Sequence, residues 1–330
     1  NHMAGLLPYK VLEVLDQPKE TQDWHLVKTH VPDVWVQAAG EGIRVGVVDT
    51  GVSLTHPDII HALNEVKNFT PNQPDDFQGH GTHCCGIIGA RVNGLGVQGV
   101  APACRIYSAK ALGDDGSGSD QSIAEGMDWL ISCGVHIISM SLGSNAPSPA
   151  INTMIDKAVA AGIDVVVAAG NSGPAANTQE WPSRHPAAIA VAAVDDQGQI
   201  ANFSSRGPHI AIAAPGVNIL STFKGKQYAR LSGTSMATPF VAACLALARS
   251  AGDKRPATQI LKEAALTRDD NTAYGWGLVN PIALIKPVPP PQSGDGKVIA
   301  FDNGIKISIP VGVNYTIQGT DEQEPRFPVS

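Results

Sequence analysis

From Ile43 onward the chain alternates short β-branched runs with helix-length stretches, and this alternation limits the fold more than any other feature of the sequence. The runs are 43–51 (IRVGVVDTG), 104–112 (CRIYSAKAL), 135–143 (VHIISMSLG), 163–171 (IDVVVAAGN) and 188–194 (AIAVAAV). Each is apolar almost without a break, so each reads as a strand buried on both faces. Between them, 119–134 and the stretch from Ile151 to Ala161 carry apolar residues at helical spacing, and 234–252 reads as a long apolar helix. Strand and helix in turn imply an α/β domain with a mostly parallel central sheet covered by helices, and functional residues at the carboxyl ends of the strands. Asp49, Ser141 and Asn171 fall at such ends.

The alternation closes near YGWGLVNPIALI, which ends at Ile285. A stiff proline-rich segment follows, and then two alternating runs around Asp302-Asn303-Gly304, a hairpin signal. A lone hairpin is too small to be stable, so it is expected to dock on the body or on a second copy, and 320–330 is expected to be disordered. The organisation read from this is an N-terminal extension over 1–23, a globular domain over 24–286, and a linker with a hairpin tail over 287–330.

A chain of 330 residues, 43% hydrophobic and 16% charged, can bury a large core. Its formal net charge of -7 and lack of a Lys/Arg cluster argue against nucleic acid or an anionic membrane as partner. No apolar run reaches the roughly 20 residues that span a bilayer. The cysteines (Cys84, Cys85, Cys104, Cys133 and Cys244) are odd in number and irregularly spaced, without a C-x-x-C pair. They read as reduced, packed small hydrophobes in a cytosolic protein; metal or thiol chemistry is the sharper alternative.

Three segments carry chemistry. VVDTG puts Asp49 at a strand end, GHGTHCCG puts His80 between glycines, and GTSMATP puts Ser235 at the start of the long apolar helix. A serine hydroxyl attacks poorly until a histidine takes its proton, and that histidine needs a carboxylate to fix its tautomer and stabilise the imidazolium. In the order Asp, His, Ser, with their neighbours intact, these segments resemble the subtilisin-like serine proteases, the subtilases, and the resemblance runs from about Trp24 to Ile285.

That resemblance implies the three-layer subtilisin-like fold and a serine endopeptidase in which Ser235 attacks the scissile carbonyl, His80 shuttles the proton and Asp49 orients His80. It implies an oxyanion hole from the Asn171 side-chain amide and the Ser235 backbone N–H. Ser141-Leu142-Gly143 and Gly116-Ser117-Gly118 match the two segments between which the family adds an extended polypeptide substrate as a strand. Ala168, Ala169 and Gly170 match a wall of the pocket for the residue before the cut. Glu180 aligns with the base of that pocket, where a carboxylate favours Lys or Arg; the bland alternative puts it on the surface.

By the same resemblance, a structural calcium ion is expected on the Asp58 carboxylate, the Asn93 side chain and the carbonyls of Arg91, Leu95 and Val97, an oxygen set that suits a hard cation. An Asn-Gly turn without an ion is the alternative. A second family cation site is expected to be lost, because His209 and Ala211 replace its acidic residues. Small residues at Cys84 and Cys85 serve helix packing, with a redox switch as the alternative.

The front of the chain, Leu6-Leu7-Pro8-Tyr9, is similar to a short motif in the N-terminal extension of intracellular subtilisins. It is expected to add to the substrate edges and fill the pockets as an inhibitory segment, with Pro8 kinking the chain away from Ser235. The resemblance implies a cytoplasmic zymogen and, by analogy, a homodimer. A dedicated precursor-processing protease or transpeptidase of the same fold, and a catalytically silent binding module, are the rival expectations.

Overall fold

The computed structural model describes residues 3–16, 18–285, 297–300 and 306–309. The strands are β1 (Met3–Leu6), β2 (Lys10–Leu15), β3 (Arg44–Asp49), β4 (Leu63–Asn68), β5 (Arg105–Lys110), β6 (Ser117–Ser119), β7 (Ile137–Met140), β8 (Leu142–Gly143), β9 (Asp164–Ala168), β10 (Ile189–Val194), β11 (Ile210–Pro215), β12 (Ile219–Thr222), β13 (Tyr228–Ser232), β14 (Lys297–Ala300) and β15 (Lys306–Ile309). The helices are α1 (Trp24–Lys28), α2 (Val31–Val34), α3 (His80–Gly89), α4 (Asp120–Ser132), α5 (Pro149–Ala160), α6 (Thr234–Ser250), α7 (Ala257–Ala264), α8 (Asn271–Tyr274) and α9 (Pro281–Leu284).

Seven strands form one sheet in the order β11-β10-β9-β7-β3-β5-β4, and every pairing in it is parallel. The expected α/β architecture is therefore what the chain adopts. The unbroken runs Val45–Asp49, Ile137–Met140 and Ile189–Val194 are buried on both faces, because helices cover both sides. Fully burying one such Val, Ile or Leu is worth about 1.5–3 kcal/mol, and the runs supply many. One layer centres on α3 and α6, the other on α4 and α5.

Local chemistry sets the helix starts. The Ser119 side chain accepts from the Ser122 N–H at the head of α4, and Ser148 does the same for Ile151 ahead of Pro149 in α5. α6 is buried from Thr234 to Ala248. Its many alanines let it lie close against the sheet.

Residues 1–286 form one compact unit. β1 lies between β6 and β8 in a three-stranded sheet, and β2 pairs with β13. The second unit covers 287–330, and in it β14 and β15 pair antiparallel, Lys297 opposite Ile309. The proline-rich segment, Asp302-Asn303-Gly304 and 320–330 lie outside the described residues. Among the described residues no helix is long and apolar enough to cross a membrane.

Candidate active site

β3 ends on Asp49, whose Oδ1 accepts from the Thr50 N–H (2.8 Å) and from His80 Nδ1 (2.8 Å). His80 opens α3, and the turn before it is held by the buried Asp76. Its Oδ1 accepts from Thr50 Oγ1 (3.0 Å) and the Gly79 N–H (2.8 Å), and its Oδ2 from the Thr82 N–H (2.9 Å) and Oγ1 (2.6 Å). Burial raises the Asp76 carboxyl above its ordinary range despite these donors. Gly81 is required here: a Cβ would lie 2.1 Å from the Gly51 carbonyl oxygen, so only glycine lets α3 approach the Asp49 loop.

Ser235 lies in the first turn of α6 and is buried, as are Asp49 and His80. Its hydroxyl donates to the Ser141 carbonyl at 3.4 Å, and His80 Nε2 is buried without a hydrogen-bond partner. The Asp49–His80 link is thus formed, while His80 Nε2 and Ser235 are not engaged with each other. Cys84 lies beneath them, its sulfur 3.5 Å from the Ser235 carbonyl and 3.9 Å from His80 Nδ1. Burial first, and the Asp49 charge second, push the thiols of Cys84 and Cys85 well above the usual range. Both stay protonated and pack as small apolar groups.

Asn171 is aimed by a residue that the sequence reading did not single out. Its Oδ1 accepts from the Thr234 N–H and Oγ1, both at 2.9 Å, which turns the amide nitrogen outward. That nitrogen donates to the Pro8 carbonyl at 2.6 Å. The signal for Thr234 was present in GTSMATP, one residue before Ser235.

The front segment lies between the two edges that the resemblance assigns to substrate. Met3, Ala4 and Gly5 lie opposite Ser119, Gly118 and Ser117; Gly5 and Leu6 lie opposite Gly143 and Leu142. The Leu6 N–H donates to the Gly116 carbonyl at 2.9 Å. Leu7 is buried against Gly143, where an added Cβ would lie 2.3 Å from Leu7 Cδ2 and 3.0 Å from Glu180 Oε2. Glu180 Oε1 accepts from Ser172 Oγ (2.8 Å) and the Asn171 N–H (3.3 Å), and its carboxylate also faces Gly170. Ala168 and Ala169 are buried beside it, with the Ala169 carbonyl accepting from the Glu180 N–H at 3.0 Å. Leu7 and Glu180 therefore share the space between Gly143 and Gly170. Tyr9 then covers His80, ring centroids 5.0 Å apart, and its hydroxyl accepts from Gln78 Nε2 at 2.6 Å.

Farther along, Asp58 accepts from the Val97 N–H (2.9 Å), Tyr228 Oη (2.9 Å) and Asn93 Nδ2 (3.0 Å), while Asn93 Oδ1 accepts from the Leu95 N–H at 3.0 Å. The Arg91 N–H donates to the Asp58 carbonyl at 2.9 Å. Asp58 is thus held against the loop from Arg91 to Val97 that carries the other residues expected to bind calcium, and the side-chain oxygens of Asp58 and Asn93 suit a hard cation. Binding one requires the Asn93 amide to turn its oxygen toward the Asp58 carboxylate. Glu20, from the front segment, accepts from the N–H groups of Asn93 (2.7 Å) and Gly94 (2.9 Å) in the same loop. His209 and Ala211 bring no carboxylate to the second expected position.

Residues 40–277 match the Subtilase family profile, a span that holds all of these site residues except the front segment. The chain is 44% identical to Subtilisin Savinase of Lederbergia lenta over 246 residues, 73% of this chain and 90% of that protein. It is 40% identical to Alkaline elastase YaB of Bacillus sp. (strain YaB) over 267 residues, 79% of this chain and 69% of that protein. With Subtilisin E of Bacillus subtilis (strain 168) it shares 40% identity over 249 residues, 73% of this chain and 65% of that protein. The Asp49–His80 pair where β3 meets α3, Ser235 at the head of α6, and these matches over most of the chain's length lead to one conclusion: the chain belongs to the subtilase family and is a subtilisin-like serine endopeptidase.

Proposed function

We propose that Asp49, His80 and Ser235 are the catalytic triad of this endopeptidase and that the N-terminal segment holds it closed until that segment is displaced. In the open enzyme Ser235 Oγ attacks the scissile carbonyl while His80 Nε2 takes its proton. Asp49 holds the Nδ1–H and stabilises the imidazolium. The Asn171 amide and the Ser235 N–H meet the oxyanion, and His80 returns the proton to the leaving amine. Water, activated by the same histidine, then releases the acyl group.

One observation carries the inhibitory reading. The segment pairs with both edges up to Leu6 and Leu7 packs against Gly143 beside Glu180, yet the carbonyl bonded to Asn171 belongs to Pro8, the residue after Leu7. The carbonyl that attack would require is displaced from the hole, and Pro8 has no N–H to pair onward. Tyr9 over His80 supports the same reading.

The substrate we assign is an extended polypeptide, with Glu180 favouring Lys or Arg before the cut because its carboxylate lies beside Leu7. Asp58, Asn93 and the carbonyls of Arg91, Leu95 and Val97 would hold a calcium ion whose role is to brace their loop. A reducing, intracellular setting is supported by five free cysteines; a homodimer rests on the family resemblance. A serine-directed fluorophosphonate tests the core of the proposal. It should label Ser235 slowly in the full chain and rapidly once the segment is removed, and Ser235→Ala should abolish both labelling and casein hydrolysis. Labelling at another residue, or hydrolysis surviving Ser235→Ala, refutes the triad.

A further inference from the structure

Lys110 ends β5 with its side chain wholly out of water, and the proton relay makes no use of its charge. Its ammonium donates to the Thr50 carbonyl at 2.9 Å, the Asp75 carbonyl at 3.1 Å and Asp114 Oδ1 at 2.6 Å. An ammonium has three protons, and here each has one acceptor. A buried cation is costly unless every proton is met, so the three acceptors are held at fixed distances from one another.

These acceptors sit on three loops that the catalytic site depends on. Thr50 follows Asp49 and also accepts the Gly81 N–H on its hydroxyl at 2.9 Å. Asp75 precedes Asp76, which organises the turn into His80. Asp114 belongs to the loop before β6, a tight turn in which the Gly113 N–H donates to the Ser117 carbonyl (2.8 Å) and the Gly116 N–H to the Gly113 carbonyl (2.9 Å). The Gly116 carbonyl of that turn is the acceptor for the Leu6 N–H. Lys110 also lies directly opposite Asp49 in the parallel ladder, so its stem starts beside the strand that carries the carboxylate.

We infer that Lys110 is a positioning residue: through Asp114 it ties the peptide-pairing edge of β6 to the turn that carries Asp49, so that a substrate long enough to pair with β6 improves turnover and not binding alone. This inference rests on the triad and substrate edges proposed above. The consequence is specific. Cutting the Asp114–Lys110 link should erase the advantage of a long substrate over a short one, while leaving the chemistry on a short one in place.

Two measurements separate this role from a purely structural one. The first is amide hydrogen exchange on the full chain, which needs no turnover. Asp114 is one-third exposed, so Asp114→Ala, which removes the acceptor, should keep the fold; Lys110→Met tests the cation itself. In Asp114→Ala, exchange at Gly81 and at Leu6 should both rise by about tenfold. A rise confined to 113–117 overturns the inference.

The second measurement is kinetic, on the full chain carrying Leu7→Asp, which repels the segment from Glu180. A single-residue ester is compared with a tetrapeptide that spans β6. Asp114→Ala should lower kcat for the tetrapeptide by about fivefold and change the ester's kcat by less than about twofold. Equal losses on both substrates, or a rise in KM alone, overturn it. If the Leu7→Asp parent turns over neither substrate, the peptidase and inhibition reading has failed, and the exchange result still decides the role of Lys110.

Discussion

The ring of Tyr9 lies 5.0 Å from the imidazole of His80, centroid to centroid and tilted by 51°. Burial raises its phenol pKa, so it sits over His80 as an uncharged ring. Deleting residues 3–15 should therefore raise kcat/KM on a peptide substrate at least tenfold, a change of about 1.4 kcal/mol. Tyr9→Ala should give a smaller rise, because it removes the ring contact and the Gln78 bond but leaves β1 paired. Progress curves on the three proteins check this, and equal rates would sink it.

In the opened enzyme, Asn171→Ala should lower kcat by about 100 to 1,000-fold with KM nearly unchanged, since the amide is needed mainly when negative charge develops on the oxygen. Thr234→Val should reproduce part of that loss, because it removes one of the two bonds that aim the amide. Steady-state kinetics on one peptide decide both.

Glu180 should make the opened enzyme cleave after Arg or Lys at least about tenfold faster than after Leu, and the preference should weaken as salt rises. Glu180→Gln should bring the ratio close to one. A matched peptide panel is the measurement, and equal rates on the unmodified enzyme would move Glu180 out of the specificity role.

If calcium braces the loop from Arg91 to Val97, a chelator should lower Tm. An ion held at 100 times its Kd contributes about 2.7 kcal/mol, or roughly 4–5 °C for a domain of this size. Asp58→Asn should lower Tm and abolish the response to chelator. A Tm that ignores the chelator removes the ion from the site.

Acid should destabilise the fold before the carboxylates titrate. His83 is fully buried, its Nε2 3.1 Å from the Ile219 carbonyl and 3.0 Å from that of Ala229, and burial pulls its pKa down to about 3. The unfolded chain binds its proton near pH 6.5 and the native one does not, so this stability is full above about pH 6.5 and falls toward pH 3. His56 and His136 are lowered by burial and act in the same direction, while Asp76 and Asp164, raised by burial, oppose them. Tm should drop between pH 7 and pH 4.5, and His83→Gln, which keeps a donor toward the carbonyls, should flatten the slope.

The central sheet was legible because burial on both faces forces unbroken β-branched runs, as in Val45–Val48 and Val165–Val167. Strand β4 (LNEVKN) was not, since an exposed edge strand carries no such run, and the short buried run of β11 (IAIAAP) was passed over. Asp49, His80 and Ser235 could be found by their glycine-flanked turns, and the place of Glu180 only by alignment to a resemblance. Lys110 was illegible: a lysine at a strand end reads as solvated, and only the three loops that fold around it make it internal. Nor could Leu6-Leu7-Pro8-Tyr9 reveal that Pro8, and not Leu7, offers its carbonyl to Asn171, because that one-residue offset arises in three dimensions.

The pairing of β2 with β13 fixes the front segment, proposed above as the inhibitor, to the body. The chain continuing beyond β2 adds a covalent tether, which holds the segment at an effective concentration on the order of millimolar, whatever the amount of protein in solution. One break in the chain between Leu15 and Thr21 turns that local concentration into the ordinary one, far more dilute, and the freed strand diffuses away. Activation by such a cut would then be a single-use event, with no equilibrium to draw the enzyme back to silence.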